Sequence, residues 1–519
     1  MGTPARPDIY IGLVGAAGTD LQAVKDQLRA QFAAIGYGYE RVKVSKLLEQ
    51  FATEDLKKVA EDNRIRFLMD VGDSIRKAAE CGDGVMSLVI KQLREKRNPD
   101  VHSDHMATGF RGSTVYIIDS LKNPAEISVL DSIYARNYFT IGVYTPEIER
   151  RKRLASLIAR SRRENVSLVH EQSAAKIMAE DEGRRPARLS QDVLGTFPRA
   201  DFFIRTDDDI SRQLMRFTHL VFGDPFITPT QDEHFMNLAR TASLRSCDLS
   251  RQVGAVIVDD RGAVISQGCN EVPYPGGGMY YEGRPASLDN RDHIENRDPN
   301  QAEISVVLND LIGRLRSAGL MKDSNLDNER FTYELLSGDK QECLADSRIK
   351  GLIEFGRVVH AEMHAICEAA RLGRQIDGAI LYCTTFPCHG CTRHIIAAGI
   401  REVVFIEPYP KSLTKTLYKA EIKTDDTTSS LDGAVRFRPF EGVSPILYRR
   451  VFNFKPRKNS DGSKIEWESS LAVPPKAVNR VMDYPKETAM IEKLSVIRDR
   501  VSLPMLPEGG LSSEASLLE

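Results

Sequence analysis

An unbroken apolar run, Ile9-Tyr-Ile-Gly-Leu-Val14, follows the polar start of the chain and predicts a buried strand over 8–14. A Gly-rich turn comes next, and a helical pattern extends from Asp20 to about Ile35. Further apolar runs at 114–118, 139–144 and 201–205 predict strands, with helical segments between them. Strands that alternate with helices point to a three-layer α/β domain with a mainly parallel sheet, expected over 1–225.

A second domain is expected over 226–455. Residues 232–244 read as a helix, and 253–259 and 263–267 as a strand pair turned at Arg261-Gly262. Residues 274–356 are rich in Gly, Pro and charge, and they interrupt the pattern as a long insertion. A helix starting near His360, a strand at 379–383, a helix from Cys388 and a strand at 402–406 complete the unit as an α/β/α sandwich. Gly399 fits the position that closes the helix before it. From about 455 the chain turns Pro-, Ser- and charge-rich. An extension over 456–519 is expected to be partly disordered, with some order near Trp467 and a short helix at 489–501.

Composition narrows the class. The 519 residues exceed one ordinary core, and 41% hydrophobic with 28% charged residues is ordinary globular usage. No run of about 18 uncharged apolar residues occurs, so no membrane partner is expected. The N-terminal stretch has neither a signal peptide's regions nor a myristoylation signal, since Arg6 stands where Ser or Thr is needed. Eight scattered cysteines do not make a disulfide scaffold, and the cytoplasm is the expected compartment. A net charge of −2 gives no global field for nucleic acid. The local exception is 150–163, with seven Lys or Arg and no acid, which reads as a solvated helix face, a phosphate-gripping lid or a landing patch for RNA.

Chemistry concentrates in two short motifs, His360-Ala-Glu362 and Pro387-Cys-His-Gly-Cys391. Cys388 and Cys391 stand three apart and face the same way on a first helical turn, where Pro387 suits the start. With His360 from another helix N-terminus they supply three zinc ligands and leave one tetrahedral position for water. Zinc lowers the pKa of such a water from about 15.7 toward 7, and Glu362 is placed to shuttle its proton. H-x-E followed by P-C-x-x-C is a signature of zinc deaminases acting on C4 of cytosine or C6 of adenine. A closed structural zinc with His364, His389 or Cys383 as fourth ligand is the alternative, and it leaves Glu362 unexplained. His360 and His364 are spaced like a zinc protease pair, but Ala361 stands where that motif has Glu.

Arg245-Ser246, Gln252-Val-Gly-Ala-Val-Ile-Val258, Gly268-Cys-Asn-Glu-Val-Pro273, the two metal motifs and Thr384-Thr-Phe386 together resemble the deoxycytidylate deaminase family of the cytidine deaminase-like superfamily. The resemblance covers 230–420. It implies zinc as cofactor, a sugar contact from Asn270, and a base pocket that includes Ala361 and Thr385. It further implies an aromatic wall in Glu407-Pro-Tyr-Pro-Lys-Ser412, where Tyr409 stacks on the base and Lys411 meets phosphate. The whole chain resembles long bacterial anti-phage dCTP/dCMP deaminases, which carry a P-loop kinase-like domain first. That likeness implies hydrolysis of deoxycytidine nucleotides to deoxyuridine nucleotides and ammonia, with dCTP depletion as the biology. It also implies restraint by a nucleotide or a small inhibitory RNA, and a homo-oligomer, a hexamer by the family's habit. The insertion at 274–356 departs from short family members and leaves dCTP or dCMP open as substrate.

The loop Gly12-Leu-Val-Gly15-Ala-Ala-Gly18-Thr19-Asp20-Leu21 lies between strand and helix, the context for a phosphate cradle. Its nucleotide-binding candidates are Gly12, Gly15, Gly18 and Thr19. The Lys that grips the β- and γ-phosphates is missing, so sensing or scaffolding is expected in place of kinase activity. Asp119 resembles a metal-binding acid at a strand end. Two rival readings remain: a deaminase acting on RNA or DNA bases with 150–163 as its grip, and a non-catalytic nucleotide-binding regulator with structural zinc.

Overall fold

The computed structural model describes residues 6–52, 55–97, 113–182, 189–283, 285–295, 298–321, 325–344, 347–352, 354–409, 412–425, 431–453, 455–469, 472, 474 and 484–502. The chain divides into two compact units, 1–233 together with 440–519, and 234–439. The return of 440–519 to the first unit differs from the sequence reading, which ran the second domain on to 455. Among the described residues no helix is long and apolar enough to cross a membrane.

In the first unit, β1 (Ile9–Gly15), β2 (Gly38–Lys43), β3 (Thr114–Asp119), β4 (Tyr138–Tyr144) and β5 (Phe202–Arg205) form a parallel sheet in the order β5-β4-β1-β3-β2. Gly442–Val443 pairs antiparallel at its β5 edge. Alternate residues of the inner strands feed two separate cores. Tyr10, Val14, Tyr116 and Ile118 pack with Val71, Ile75 and Val89 on one face. Ile9, Ile11, Val115 and Ile117 pack with Leu28, Phe32 and Phe217 on the other. Burial on both faces is why these strands read as continuous apolar runs. The edge strand β2 is only partly buried and carries Glu40, Arg41 and Lys43, so it shows no such run and escaped the sequence reading.

The C-terminal helix spans Tyr484–Arg500, earlier than the expected 489–501. It seats Met490 and Ile497 in the first core. Its buried Glu487 accepts hydrogen bonds from the Tyr134 hydroxyl (2.9 Å), from Arg94 (3.3 Å) and from Arg97.

The second unit holds β6 (Gly254–Val258), β7 (Val264–Cys269), β8 (Ile380–Thr385), β9 (Glu402–Glu407), β10 (Ile422–Lys423) and β11 (Val435–Pro439). They stand in the order β10-β11-β9-β8-β6-β7. Pairing is antiparallel at β7-β6-β8 and parallel from β8 through β9 and β11 to β10. The helices Ala361–Arg371 and His389–Ala397 add Ala361, Ala365 and Ile395 to a core shared with Ala255, Leu381 and Val403. Gly268 sets how close the first helix comes: a Cβ there would lie 2.3 Å from the Ala361 carbonyl oxygen. The insertion is not structureless. It forms helices at Pro299–Ser317 and Asn328–Leu336, the first capped by Asp298, which accepts from the Asn300 and Gln301 amides at 2.9 and 3.4 Å.

Candidate metal and substrate site

Both metal motifs sit at helix starts. His360 is the N-cap of Ala361–Arg371 and Cys388 the N-cap of His389–Ala397, each with extended backbone that lets its side chain turn across the helix end. The Cys388 sulfur accepts from the Cys391 amide at 3.4 Å. His360 Nδ1 lies 3.4 Å from the sulfurs of both Cys388 and Cys391. These three donor atoms all fall within 4.8 Å of one another, and among the described residues no fourth His, Cys, Asp or Glu joins the group. Two sulfurs and an imidazole nitrogen that close together fit a zinc ion with an open position.

His364 is drawn elsewhere: its Nδ1 accepts from the Cys269 amide at 3.2 Å, and burial lowers its pKa. Charge at the cluster is uneven. A hydrogen bond from the Cys391 thiol, aided by His360, holds Cys388 well below the usual thiol range, while Cys391 is pushed up. The bond to Cys388 raises His360 to about 9. Glu362 is buried, and burial together with the Cys388 charge pushes it up to about 7.

A cavity of about 240 Å³ opens beside this cluster. Glu362, Asn270, Ala361, Thr385 and Tyr409 all line it, together with His360 and Cys388. Two of these candidates are already engaged. The Asn270 oxygen accepts from the Val253 amide and its nitrogen donates to the Arg251 carbonyl, both at 2.7 Å. The Thr385 hydroxyl donates to Glu407 at 3.2 Å. Tyr409 carries the Arg251 guanidinium 5.4 Å above its ring. Lys411 lies outside the described residues. Sequence reasoning missed Asp248 and Arg251 from the loop before β6, and Asp292 and Asp298 from the insertion, which also line the cavity. Asp298-Pro299 is legible as a helix start, but nothing local shows that it faces a site.

The phosphate-loop candidates occupy the end of β1 and the turn after it. Gly12 and Gly15 are strand residues, Gly18 has φ +88°, and Asp20 caps the helix Leu21–Ala34. The Ala17 amide in this loop donates to Asp181 at 2.6 Å, and Lys122 bridges the same carboxylate (2.7 Å) and the Gly15 carbonyl (3.1 Å). Asp181, wholly buried, thus occupies the Ala17 amide of this loop. Asp119 is paired with Lys25 at 2.8 Å and Arg41 at 2.5 Å. The basic run lies on the helix Glu147–Arg162, where Arg150 pairs with Glu182, Arg153 with Asp20 and Arg162 with Asp62.

The chain is 45% identical over 53 residues to ComE operon protein 2 of Bacillus subtilis, covering 10% of this chain and 28% of that one. It is 44% identical over 54 residues to the deoxycytidylate deaminase of Enterobacteria phage T4, covering 10% and 28%. It is 28% identical over 185 residues to the deoxycytidylate deaminase of Saccharomyces cerevisiae, covering 36% and 40%. The chain therefore spans less than a third of the length of the first two relatives. Among solved structures, the dCMP deaminase from cyanophage S-TIM5 in complex with dCMP and dUMP matches at 17% identity and a TM-score of 0.23, over 41% of this chain and 100% of that one. Residues 229–407 match the family model for the cytidine and deoxycytidylate deaminase zinc-binding region, and it is to that region that this part of the chain is similar.

Proposed function

We propose that the second unit hydrolyses the exocyclic amine of a deoxycytidine nucleotide, dCTP or dCMP, giving dUTP or dUMP and ammonia. The observation that carries this is the convergence of His360, Cys388 and Cys391 beside a buried Glu362 in one cavity. Zinc held by those three side chains would act as a Lewis acid on water at the open position. Glu362 takes one proton from the attacking water and gives it to the ring nitrogen, then takes the proton of the new C4 hydroxyl and gives it to the departing amine. Water adds oxygen to C4, the C4–N bond breaks, and ammonia leaves. Ala361 and Phe386, buried at the cavity wall, exclude bulk water from the base. Tyr409, which lines the same cavity, offers an aromatic face to the base.

The first unit completes the proposal as a P-loop kinase-like regulatory domain, through which a nucleotide or small RNA restrains a cytoplasmic oligomer that depletes dCTP during phage infection. Any phosphate entering its loop must displace Asp181 from the Ala17 amide. The test is direct: purified protein is given dCTP, dCMP, CTP and dATP while ammonia and ring absorbance are followed. Turnover of the deoxycytidine nucleotides is expected, and Glu362→Gln should lose about 10²–10⁴-fold in kcat with zinc still bound. Undiminished turnover in that variant removes Glu362 from the chemistry.

A further inference from the structure

The cavity's charge is unbalanced for a site that takes a nucleotide. Its described lining includes the acids Asp248, Asp292 and Asp298 besides Glu362, and Arg251 is its one lysine or arginine. We propose that Arg251 is the residue that receives the nucleotide's phosphate, an inference that rests on the deaminase reading above.

The loop that carries Arg251 is built to present it. Asp248 accepts from the Ser250 amide at 2.8 Å and the Arg251 amide at 3.1 Å. Asn270 holds the Arg251 carbonyl from the other side and the Val253 amide beyond it, both at 2.7 Å. The Gln252 side chain donates to the Ser246 carbonyl at 2.8 Å, which closes the loop on itself. The Arg251 backbone is therefore tied on both flanks by side chains, and that order is in place before any ligand arrives.

The guanidinium itself is not locked away. It leans on Tyr409, 5.4 Å above the ring, and lies 3.5 Å from Glu407, with side chains 47% and 41% exposed. An ion pair this exposed is weak, so a phosphate with two or more negative charges can displace it. Glu407 keeps a partner when that happens, because the Thr385 hydroxyl donates to it. Asn270 is then a positioning residue for Arg251, acting on phosphate recognition through the loop.

The experiment compares KM and kcat of the full-length protein and of Arg251→Ala, Arg251→Gln and Arg251→Lys on deoxycytidine, dCMP and dCTP. Arg251→Ala should raise KM for dCMP and dCTP about 10- to 100-fold with a smaller change in kcat, while deoxycytidine, which has no phosphate, loses much less. Arg251→Lys should restore part of the loss. Equal losses on deoxycytidine and dCMP, or an unchanged KM for dCMP, would overturn the assignment while leaving the deaminase reading standing. A wild-type protein that turns over none of the three overturns both. Melting curves of each variant report folding, and Arg251→Gln, which keeps the side-chain carbons through Cδ without the charge, replaces Arg251→Ala if the latter melts early.

Discussion

Gly268→Ala tests whether the spacing between β7 and the helix Ala361–Arg371 sets the metal geometry. An added Cβ would lie 2.3 Å from the Ala361 carbonyl oxygen, 2.6 Å from the Ala365 amide nitrogen and 3.0 Å from the His364 Cβ. Comfortable contact needs roughly 3.4 Å or more, so the shortfall is about 1 Å. The two nearest atoms are backbone, and no rotamer change relieves them. The helix must retreat, and it carries His360 at its cap and Glu362 in its first turn. Metal–ligand distances tolerate about 0.2 Å, and a 1 Å misplacement in an active site costs about 10²-fold in rate. Crowding of this kind costs a further 1–3 kcal/mol or so of stability. The assay is zinc content by elemental analysis alongside turnover per zinc. The control is Gly351→Ala, where an added Cβ meets nothing within 4 Å. Lower zinc occupancy or a turnover loss near 10²-fold is expected for Gly268→Ala alone. Full zinc with turnover within about twofold of the control would refute the reasoning, since a 1 Å retreat could not leave both intact.

Two further outcomes concern the first unit. Burial raises Asp8 from 3.8 to about 6, against a hydrogen bond from the Thr114 amide at 3.0 Å that lowers it. The folded chain holds this proton more tightly than the unfolded chain, so the group's stability is full below about pH 4, is lost as pH rises toward 6, and then stays lost. The shift corresponds to about 3 kcal/mol. The stability of Asp8→Asn relative to the wild type should therefore climb by about that amount between pH 4 and 7 in denaturant titrations, and a flat difference would sink the idea. Asp181→Asn leaves Lys122, only 14% exposed, beside an uncharged amide. Removing one member of such a buried pair costs about 3–5 kcal/mol, and a loss under 1 kcal/mol in the same titration would show that the loop does not depend on the carboxylate.

Several features were legible locally. The apolar runs of β1, β3, β4 and β5 announce strands covered on both faces, and the shifts in their ends are a residue or so. β2, β10 and β11 were missed, because two are polar or very short and β11 alternates buried and exposed residues over only five positions. The cap positions of His360 and Cys388 followed from spacing and from Pro387, since caps depend on residues within one turn. For Asn270 the resemblance implied a sugar contact, whereas its grip on the Arg251 loop could not be read from the sequence.

What the sequence determined by itself is the donor set: three side chains of the right chemistry and an acid two residues from one of them, encoded in stretches short enough to be read as periodicity and spacing. What the tertiary structure decided is everything that joins distant stretches. It closes His360 onto two sulfurs 28 and 31 residues away, brings insertion carboxylates to the cavity wall and sets Asp181 against a loop 164 residues earlier. Such meetings depend on how whole elements pack, with Gly268 fixing one approach and the cores fixing the rest, and no local pattern encodes them.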